Sequence, residues 1–202
     1  MLQRPEYETL KDFRVIAISG KAEHGKDSAF KCLCKANVES GCPYIIRQIA
    51  FGDYVKQCAS FVGWDGDKIN NRKPLTDIGQ YGRNMDEEVW VKHAYADMLR
   101  IMEEYRPGSL RQRVLFVITD LRFKAELRAL ERDFAENLFT IRVYRPGHVS
   151  NLSSEQLADI SEVDLDDVFD FDFFVSNTTI AALQEAISNI FDEVTLYYEN
   201  VK

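Results

Sequence analysis

The chain has 202 residues, of which 46% are hydrophobic and 29% charged, and its formal net charge is −8. This length predicts a single domain that folds without disulfides or a structural metal. The acidic balance argues against a nucleic-acid polymer as partner, and the lack of a long apolar run or a basic, apolar leader predicts a cytoplasmic protein with no membrane partner.

The acidic charge is concentrated at one end of the sequence. Residues 146–202 contain 12 acidic residues and one basic residue, Lys202. The rest of the chain has a small positive excess. That excess leaves room for a local basic pocket that faces a small phosphorylated ligand.

Four cysteines lie in the first third of the chain with irregular spacing. They match neither a zinc site nor a disulfide framework. We expect buried free thiols in a reducing cytosol. The four are Cys32, Cys34, Cys42 and Cys58.

The predicted elements alternate between strands and helices. Strands are predicted at 13–19, 44–51, 114–119, 138–144 and 171–175. Helices are predicted at 26–36, 53–62, 123–133 and 179–194, with a short one after Ser153 and two between 74 and 105 that are broken near Gly82. Asn84 and Glu87 are expected to cap the second of these two, which should end at Arg106–Gly108. This alternation predicts a three-layer α/β/α fold with a five-stranded parallel sheet.

A glycine-rich loop follows the first strand. Gly20, Gly25 and Lys26 have the Gly-x4-Gly-Lys spacing of a phosphate-binding loop, whose N–H groups and lysine bind phosphates at a helix N-terminus. Between a buried strand and a helix, this pattern predicts the P-loop NTPase fold and ATP as ligand. Glu23, His24, Asp27 and Ser28 are further candidates for contact with the nucleotide, and His24 is interpreted as shaping the loop.

The residue after the lysine bears on the metal. Asp27 occupies the position where many such loops have the Ser or Thr that ligates Mg²⁺. We therefore expect Mg²⁺ to be held by Asp27, directly or through water, or by phosphates and waters alone. Ser28 is a second candidate, either for the metal or for the α-phosphate.

The ending Gly25-Lys26-Asp27-Ser28 resembles the loop of phage-type deoxynucleoside monophosphate kinases and of the related animal phosphomevalonate kinases. Further blocks resemble that family in the same order. They are 51–56, 72–83 with Asp86 and Trp90, 119–126, and 160–162 with Asn177. The resemblance implies transfer of the ATP γ-phosphate, with Mg²⁺, to a (deoxy)nucleoside monophosphate, in the host cytoplasm if the source is a bacteriophage. A homodimer is left open.

The resemblance and the chain order imply a role for the basic residues. Lys56, Arg72 and Arg83 are expected to clamp the 5′-phosphate of the acceptor. Residues 64–108 would form the helical insertion that binds this acceptor. Aromatic side chains are candidates for stacking on its base, although Trp90 also lies on the apolar stripe of its helix. They are Phe51, Trp64, Tyr81 and Trp90.

Residues after the later strands are candidates for the phosphoryl-transfer step. Arg122 and Arg145 are expected to neutralise the transferred group, and Asp120 to orient Mg²⁺ or its water. Residues 146–170 would form a lid that excludes water. Asn177 is a candidate nucleotide contact, or simply a helix cap.

Departures from the family pattern leave two other functions open. Pro74, Thr76 and Gln80 alter the acceptor block, and the lid has no arginine after Arg145. One alternative is a P-loop kinase with a different small phosphorylated acceptor. The other is a regulatory or structural nucleotide-binding protein without turnover.

Overall fold

Five parallel strands form one sheet in the described part of the chain, which comprises residues 13–67, 71–104 and 113–200 of a computed structural model, with side chains up to residue 196. The strands are β1 (Phe13–Ser19), β2 (Tyr44–Ile49), β3 (Arg113–Leu121), β4 (Leu138–Tyr144) and β5 (Phe173–Ser176). Their order across the sheet is β2-β3-β1-β4-β5, so β1 is central and pairs in parallel with β3 and β4.

Helices cover both faces of this sheet. They are α1 (Lys26–Glu39), α2 (Phe51–Phe61), α3 (Lys73–Met85), α4 (Val89–Glu104), α5 (Lys124–Phe134), α6 (Ser154–Leu157), α7 (Ile160–Val163) and α8 (Ile180–Asn200), with a 3₁₀ turn at Ala135–Asn137. Within the described residues, none of the helices has the length and hydrophobicity needed to cross a lipid bilayer.

Alternate side chains of the buried strands enter two separate cores, as the period of two requires. Val15 and Ala17 pack with residues of α2, α4 and α5, whereas Ile16 and Ile18 pack with α1 and α8. The strands are nearly continuous apolar runs because both faces are covered. The predicted three-layer α/β/α arrangement with a five-stranded parallel sheet is confirmed.

The break between the two middle helices was predicted at the wrong place. Gly82 lies inside α3, and the chain leaves the helix at Asp86. The Oδ1 atom of Asp86 accepts the N–H of Glu88 at 3.1 Å, whereas Asn84 bonds to Gln80 on α3 and not to the start of α4. The predicted end of α4 at 106–108 lies outside the described residues.

The cysteine prediction was correct in part. All four thiols are free, as expected. Cys32 is buried, but Cys42 and Cys58 are exposed, at the turn after α1 and on the outer face of α2. The short helix after Ser153 is present, and Ser153 and Gln156 form the reciprocal cap that the sequence suggested.

Candidate active site

One cleft of about 530 Å³ opens at the carboxyl end of the sheet. Its walls come from the loop after β1, the start of α2, one face of α3 and the turn after β3. Open parallel sheets bind ligands at this end. Many of the sequence-predicted site residues line the cleft. They are Glu23, Lys26, Asp27, Phe51, Lys56, Arg72, Arg83, Trp90, Asp120 and Arg122.

The loop after β1 is held in shape by Gly25 and Asn177. Gly25 precedes α1 with φ +105°, and a Cβ at this position would collide with the Asn177 side chain. Nδ2 of Asn177 donates to the backbone O of His24 at 2.9 Å. Asn177 thus supports the loop from the end of β5, outside the lining of the cleft. Its contact with the nucleotide stays a prediction.

Lys26, at the start of α1, is the cation of this loop. Its Nζ donates to the backbone O atoms of Gly20 at 2.6 Å and Lys21 at 2.9 Å. Burial, and then the neighbouring charge of Arg122, lower the pKa of Lys26 to about 8. Within the described residues Lys26 forms no ion pair, although the charges of Glu162, Asp120 and Asp27 favour its protonated form. An anion that enters the cleft could therefore bind this ammonium group directly.

Glu23 ties the loop to the segment after β4. Its carboxylate accepts the N–H of Asn151 at 3.0 Å and the Nδ2 group of the same residue at 3.0 Å, and it contacts His148 and Ser150. The hydrogen bonds from Asn151 and then His148 lower the pKa of Glu23 to about 2. Glu23 therefore stays ionised and acts as a support of the loop, a role that the sequence did not indicate.

Asp120, at the end of β3, receives the first N–H groups of α2. Its Oδ1 accepts from Phe51 at 2.9 Å and its Oδ2 from Gly52 at 2.8 Å. Burial raises the pKa of Asp120, and the two backbone N–H groups act in the opposite direction. The carboxylate is thus fixed against the positive end of a helix.

The donors around the loop fit Mg²⁺. Each oxygen of Asp120 keeps a lone pair beside its N–H bond, and the carboxylate of Asp27 is exposed on the first turn of α1; both residues line the cleft. Mg²⁺ requires only one or two carboxylates when phosphates and waters supply the other ligands. Ser28 does not line the cleft, so the geometry favours the carboxylates over the hydroxyl.

Glu126 is a buried carboxyl group in the lining of the cleft. Its Oε2 accepts the N–H groups of Arg122 at 2.9 Å and Phe123 at 3.1 Å at the start of α5. Burial, together with the charge of Asp120, raises the pKa of Glu126 to about 8. The sequence placed Glu126 in a family block without a role. The position of Glu126 three residues after the N-cap of α5 could have indicated a capping role. Nothing in the sequence showed that this carboxyl would be buried beside the site.

The wall of the cleft that α3 forms contains two arginines without an ion pair among the described residues. Arg83 lies over the ring of Phe123 at 4.0 Å, and its Nε is buried without a hydrogen-bond partner. Arg72 lines the same wall at the start of α3. Lys56 differs from both, because it pairs with Asp53.

The aromatic candidates separate into two groups. Phe51 and Trp90 line the cleft although both are nearly buried, and Nε1 of Trp90 donates to the backbone O of Gly79 at 3.1 Å. Trp90 therefore belongs to the core and to the cleft wall. Trp64 and Tyr81 do not line the cleft; Trp64 donates to the O of Asn71, and Tyr81 is 69% exposed.

The predicted lid, 146–170, lies against the loop through side-chain contacts. Oε2 of Glu162 accepts the N–H of Ala22 at 2.7 Å, and Asp166 pairs with Lys21 at 2.6 Å. Asp166 also pairs with Arg142 at 2.9 Å. Asp166 of this segment thus pairs with one basic residue of the loop, Lys21, and with Arg142 of β4. The uneven distribution of charge along the sequence is consistent with this pairing but did not predict it.

Arg142 lies within β4 and Arg145 just beyond it, and the two side chains have different surroundings. Arg145 is exposed beyond the end of β4 and does not line the cleft. Arg142 points inward from β4, where its Nη1 donates to Oγ of Ser19 at 2.7 Å. Of the two arginines predicted to neutralise the transferred group, only Arg122 lines the cleft; its Nη1 contacts the O of Ser161 at 3.1 Å and pairs with Glu162.

Comparison with known proteins finds relatives of unassigned activity. No protein-family model matches the chain. Two uncharacterized proteins of Ictalurid herpesvirus 1 (strain Auburn) are similar: ORF76, 28% identical over 183 residues (90% of this chain and 68% of the relative), and ORF77, 26% identical over 179 residues (86% and 68%). These relatives are viral but not phage proteins, so the phage source stays a prediction.

A solved structure of a gluconokinase from Sinorhizobium meliloti 1021 aligns with 91% of this chain and 96% of its own. The two sequences are 12% identical and the TM-score is 0.41. Nothing about the substrate of this chain follows from that likeness.

Proposed function

We propose that this protein is a P-loop kinase that transfers the γ-phosphate of ATP to the phosphate of a nucleoside monophosphate, with a deoxynucleotide as the first candidate. The proposal depends on a cleft that has a phosphate loop at one side and unpaired arginines at the other. ATP would lie on the loop with its γ-phosphate near Lys26, and the acceptor would lie toward α3.

The observation that carries the proposal is the environment of Arg83. A half-buried guanidinium with an unpartnered Nε is costly unless an anion completes it. With Arg72 on the same wall, the site offers two positive charges, which match the two negative charges of a phosphate monoester better than one carboxylate. The planar guanidinium group binds such a phosphate through two hydrogen bonds.

The remaining residues have compatible roles. Arg122 lies between the two sides and would neutralise charge on the transferred phosphoryl group. Asp27 and Asp120 would hold Mg²⁺, which when bound supplies charge neutralisation to the phosphate oxygens. Phe51 and Trp90 provide an apolar wall for a base.

The test is an acceptor panel. Purified protein with ATP and Mg²⁺ is offered each deoxynucleoside and ribonucleoside monophosphate, a set of phosphorylated sugars and alcohols, and gluconate, and ADP formation is followed. We expect ADP that depends on one or more nucleoside monophosphates. Acceptor-independent ADP alone, or transfer only to an acceptor that is not a nucleoside monophosphate, would contradict the proposal.

Variants connect the activity to the cleft. Arg83→Ala should lower kcat/KM for the acceptor by about 10- to 100-fold, the cost of losing charged hydrogen bonds, with the KM for ATP nearly unchanged. Arg128→Ala is the matched control, because Arg128 is exposed on α5. Its single ion pair among the described residues, from Nη2 to Oε2 of Glu87, is long, at 3.9 Å. An equal loss in both variants would exclude a role of Arg83 in acceptor binding.

A further inference from the structure

Glu162 joins two parts of the candidate active site. It lies on α7, its side chain has no exposed surface, and both of its oxygens have partners. Oε2 accepts the N–H of Ala22 in the phosphate loop at 2.7 Å, and Oε1 pairs with Nη1 of Arg122. One carboxylate therefore connects the loop after β1 with the turn after β3.

The ionised form of Glu162 depends on these contacts. Burial acts to raise the pKa of this carboxyl, but Arg122, the N–H of Ala22 and Lys26 together hold the pKa of Glu162 below its usual range. A buried carboxylate with paired oxygens is strongly fixed, because a displaced group would lose both its charge partner and its hydrogen bonds. The position of Glu162 thus determines the position of its partners.

The contact with Glu162 leaves Nε and Nη2 of Arg122 available for other hydrogen bonds. Both hydrogen bonds of the guanidinium, to Glu162 and to the O of Ser161, use Nη1. An arginine has five N–H donors in a rigid plane. With one corner held on α7 and the residue lining the cleft, the other donors remain for phosphate oxygens.

The segment that carries Glu162 is itself anchored on both sides. Asp166 pairs with Lys21 of the loop at 2.6 Å and with Arg142 at 2.9 Å. On the other side, the N–H of Lys124 donates to Oδ2 of Asp164 at 2.8 Å. Leu165 lies in the core at 2% exposure. Residues 159–168 are therefore held by contacts on both sides.

We propose that Glu162 is a positioning residue that orients Arg122 toward the transferred phosphoryl group and holds the phosphate loop at Ala22. The part that concerns phosphoryl transfer rests on the proposed kinase function. The part that concerns the loop is a statement about structure alone, and each part has its own measurement.

The first measurement separates turnover from binding. Glu162→Gln keeps the size of the side chain, removes its charge and leaves one acceptor oxygen in place of two. The ion pair with Arg122 is then lost, and only one of the two contacts, to Arg122 or to Ala22, can remain. We expect kcat to fall by about tenfold or more, since small displacements of a charge-stabilising group are costly, while the KM for ATP changes little. Asp167→Asn is the matched control, because Asp167 is 70% exposed in the same segment and pairs with Lys124. A KM effect alone, or an equal loss in the control, would overturn this role.

A double-variant cycle tests whether Glu162 acts through Arg122. In the Arg122→Ala background, adding Glu162→Gln should cost little further activity, because the group to be positioned is gone. If the two losses multiply, Glu162 acts on turnover independently of Arg122, and the part of the proposal that concerns Arg122 is wrong.

Hydrogen exchange tests the support of the loop without any enzymatic assay. The amides of residues 20–26 should exchange faster in Glu162→Gln than in the wild type and in Asp167→Asn, while core amides of β1 stay protected. Unchanged exchange at 20–26 would overturn the support of the loop even if the kinase function holds. Faster exchange in a protein that phosphorylates no nucleotide would support the role of Glu162 in holding the loop and would refute the proposed kinase function.

Discussion

Glu126 illustrates how a single buried carboxyl makes the stability of this protein depend on pH. The group is 3% exposed, and its pKa is raised to about 8 because burial disfavours the charged form. In the unfolded chain the same carboxyl loses its proton near its ordinary value of 4.5. Between these values the folded protein holds one proton that the unfolded chain has released. The free energy of unfolding must therefore fall as the pH rises through this window.

Glu126→Gln should remove this dependence. The glutamine carbonyl can still accept the N–H groups of Arg122 and Phe123, and it has no proton to lose. We expect the free energy of unfolding of the variant to rise relative to that of the wild type by up to about 1.4 kcal/mol for each pH unit between pH 5 and 8. Urea unfolding at a series of pH values measures the difference.

A second carboxyl separates this effect from a general change of charge. Glu193 is exposed on α8, and Glu193→Gln removes a solvated carboxylate of equal formal charge. The difference between Glu193→Gln and the wild type should vary little over the same pH range. A Glu126→Gln difference that is equally flat would show that Glu126 is ionised throughout.

At the level of the elements, the contact between α3 and α4 depends on a glycine. A Cβ at Gly82 would lie 2.9 Å from Cε2 of Trp90, closer still to Cζ2, and 3.2 Å from Cγ1 of Val89. The indole is rigid, and its Nε1 is held by the O of Gly79. The two helices can therefore approach this closely only when residue 82 has no side chain.

Gly82→Ala should destabilise the protein by about 1–3 kcal/mol, because overpacking outweighs the better helix propensity of alanine. Gly79→Ala is the control on the same helix: its Cβ would lie 3.4 Å or more from its neighbours, an ordinary contact. That substitution should be neutral or stabilising by up to about 1 kcal/mol. Equal stabilities of the two variants in thermal unfolding would refute the packing argument.

The same glycine explains a limit of the sequence prediction. Gly82 was interpreted as a break because an isolated glycine weakens a helix. In the structure it leaves space for the side chain of Trp90, which belongs to a helix that begins seven residues later. The strand Phe13–Ser19 was predicted at its observed bounds, since burial on both faces leaves a nearly continuous apolar run.

Much of the site followed from the order of motifs along the chain, and the rest depended on contacts between distant segments. Lys26 and Arg122, which line the cleft, were expected there because residues after parallel strands meet at one edge of the sheet. Arg83, on α3, was expected there from the family resemblance. The contacts of Glu162 span 140 and 40 residues, and no local pattern encodes them. Arg142 lies within β4 and is partly buried, whereas Arg145 lies just beyond the strand and is exposed, a difference that the sequence did not indicate.

At the scale of the whole molecule, the phosphate loop sits where both cores meet. It connects the central strand β1 with α1, and β1 contributes side chains to both cores. A ligand that binds only the folded loop therefore stabilises the entire domain and raises its melting temperature.

ATP with Mg²⁺ at about 100 times its dissociation constant should raise the Tm by about 5–10 °C, from a stabilisation of about 2.7 kcal/mol in a domain of this size. Lys26→Ala should lose most of this shift, because the loop then lacks its cation. Arg83→Ala should keep the ATP shift and lose any shift caused by a nucleoside monophosphate, since the two ligands occupy opposite sides of the cleft. If Arg83→Ala lost the ATP shift and Lys26→Ala kept it, the assignment of donor and acceptor sides would have to be reversed.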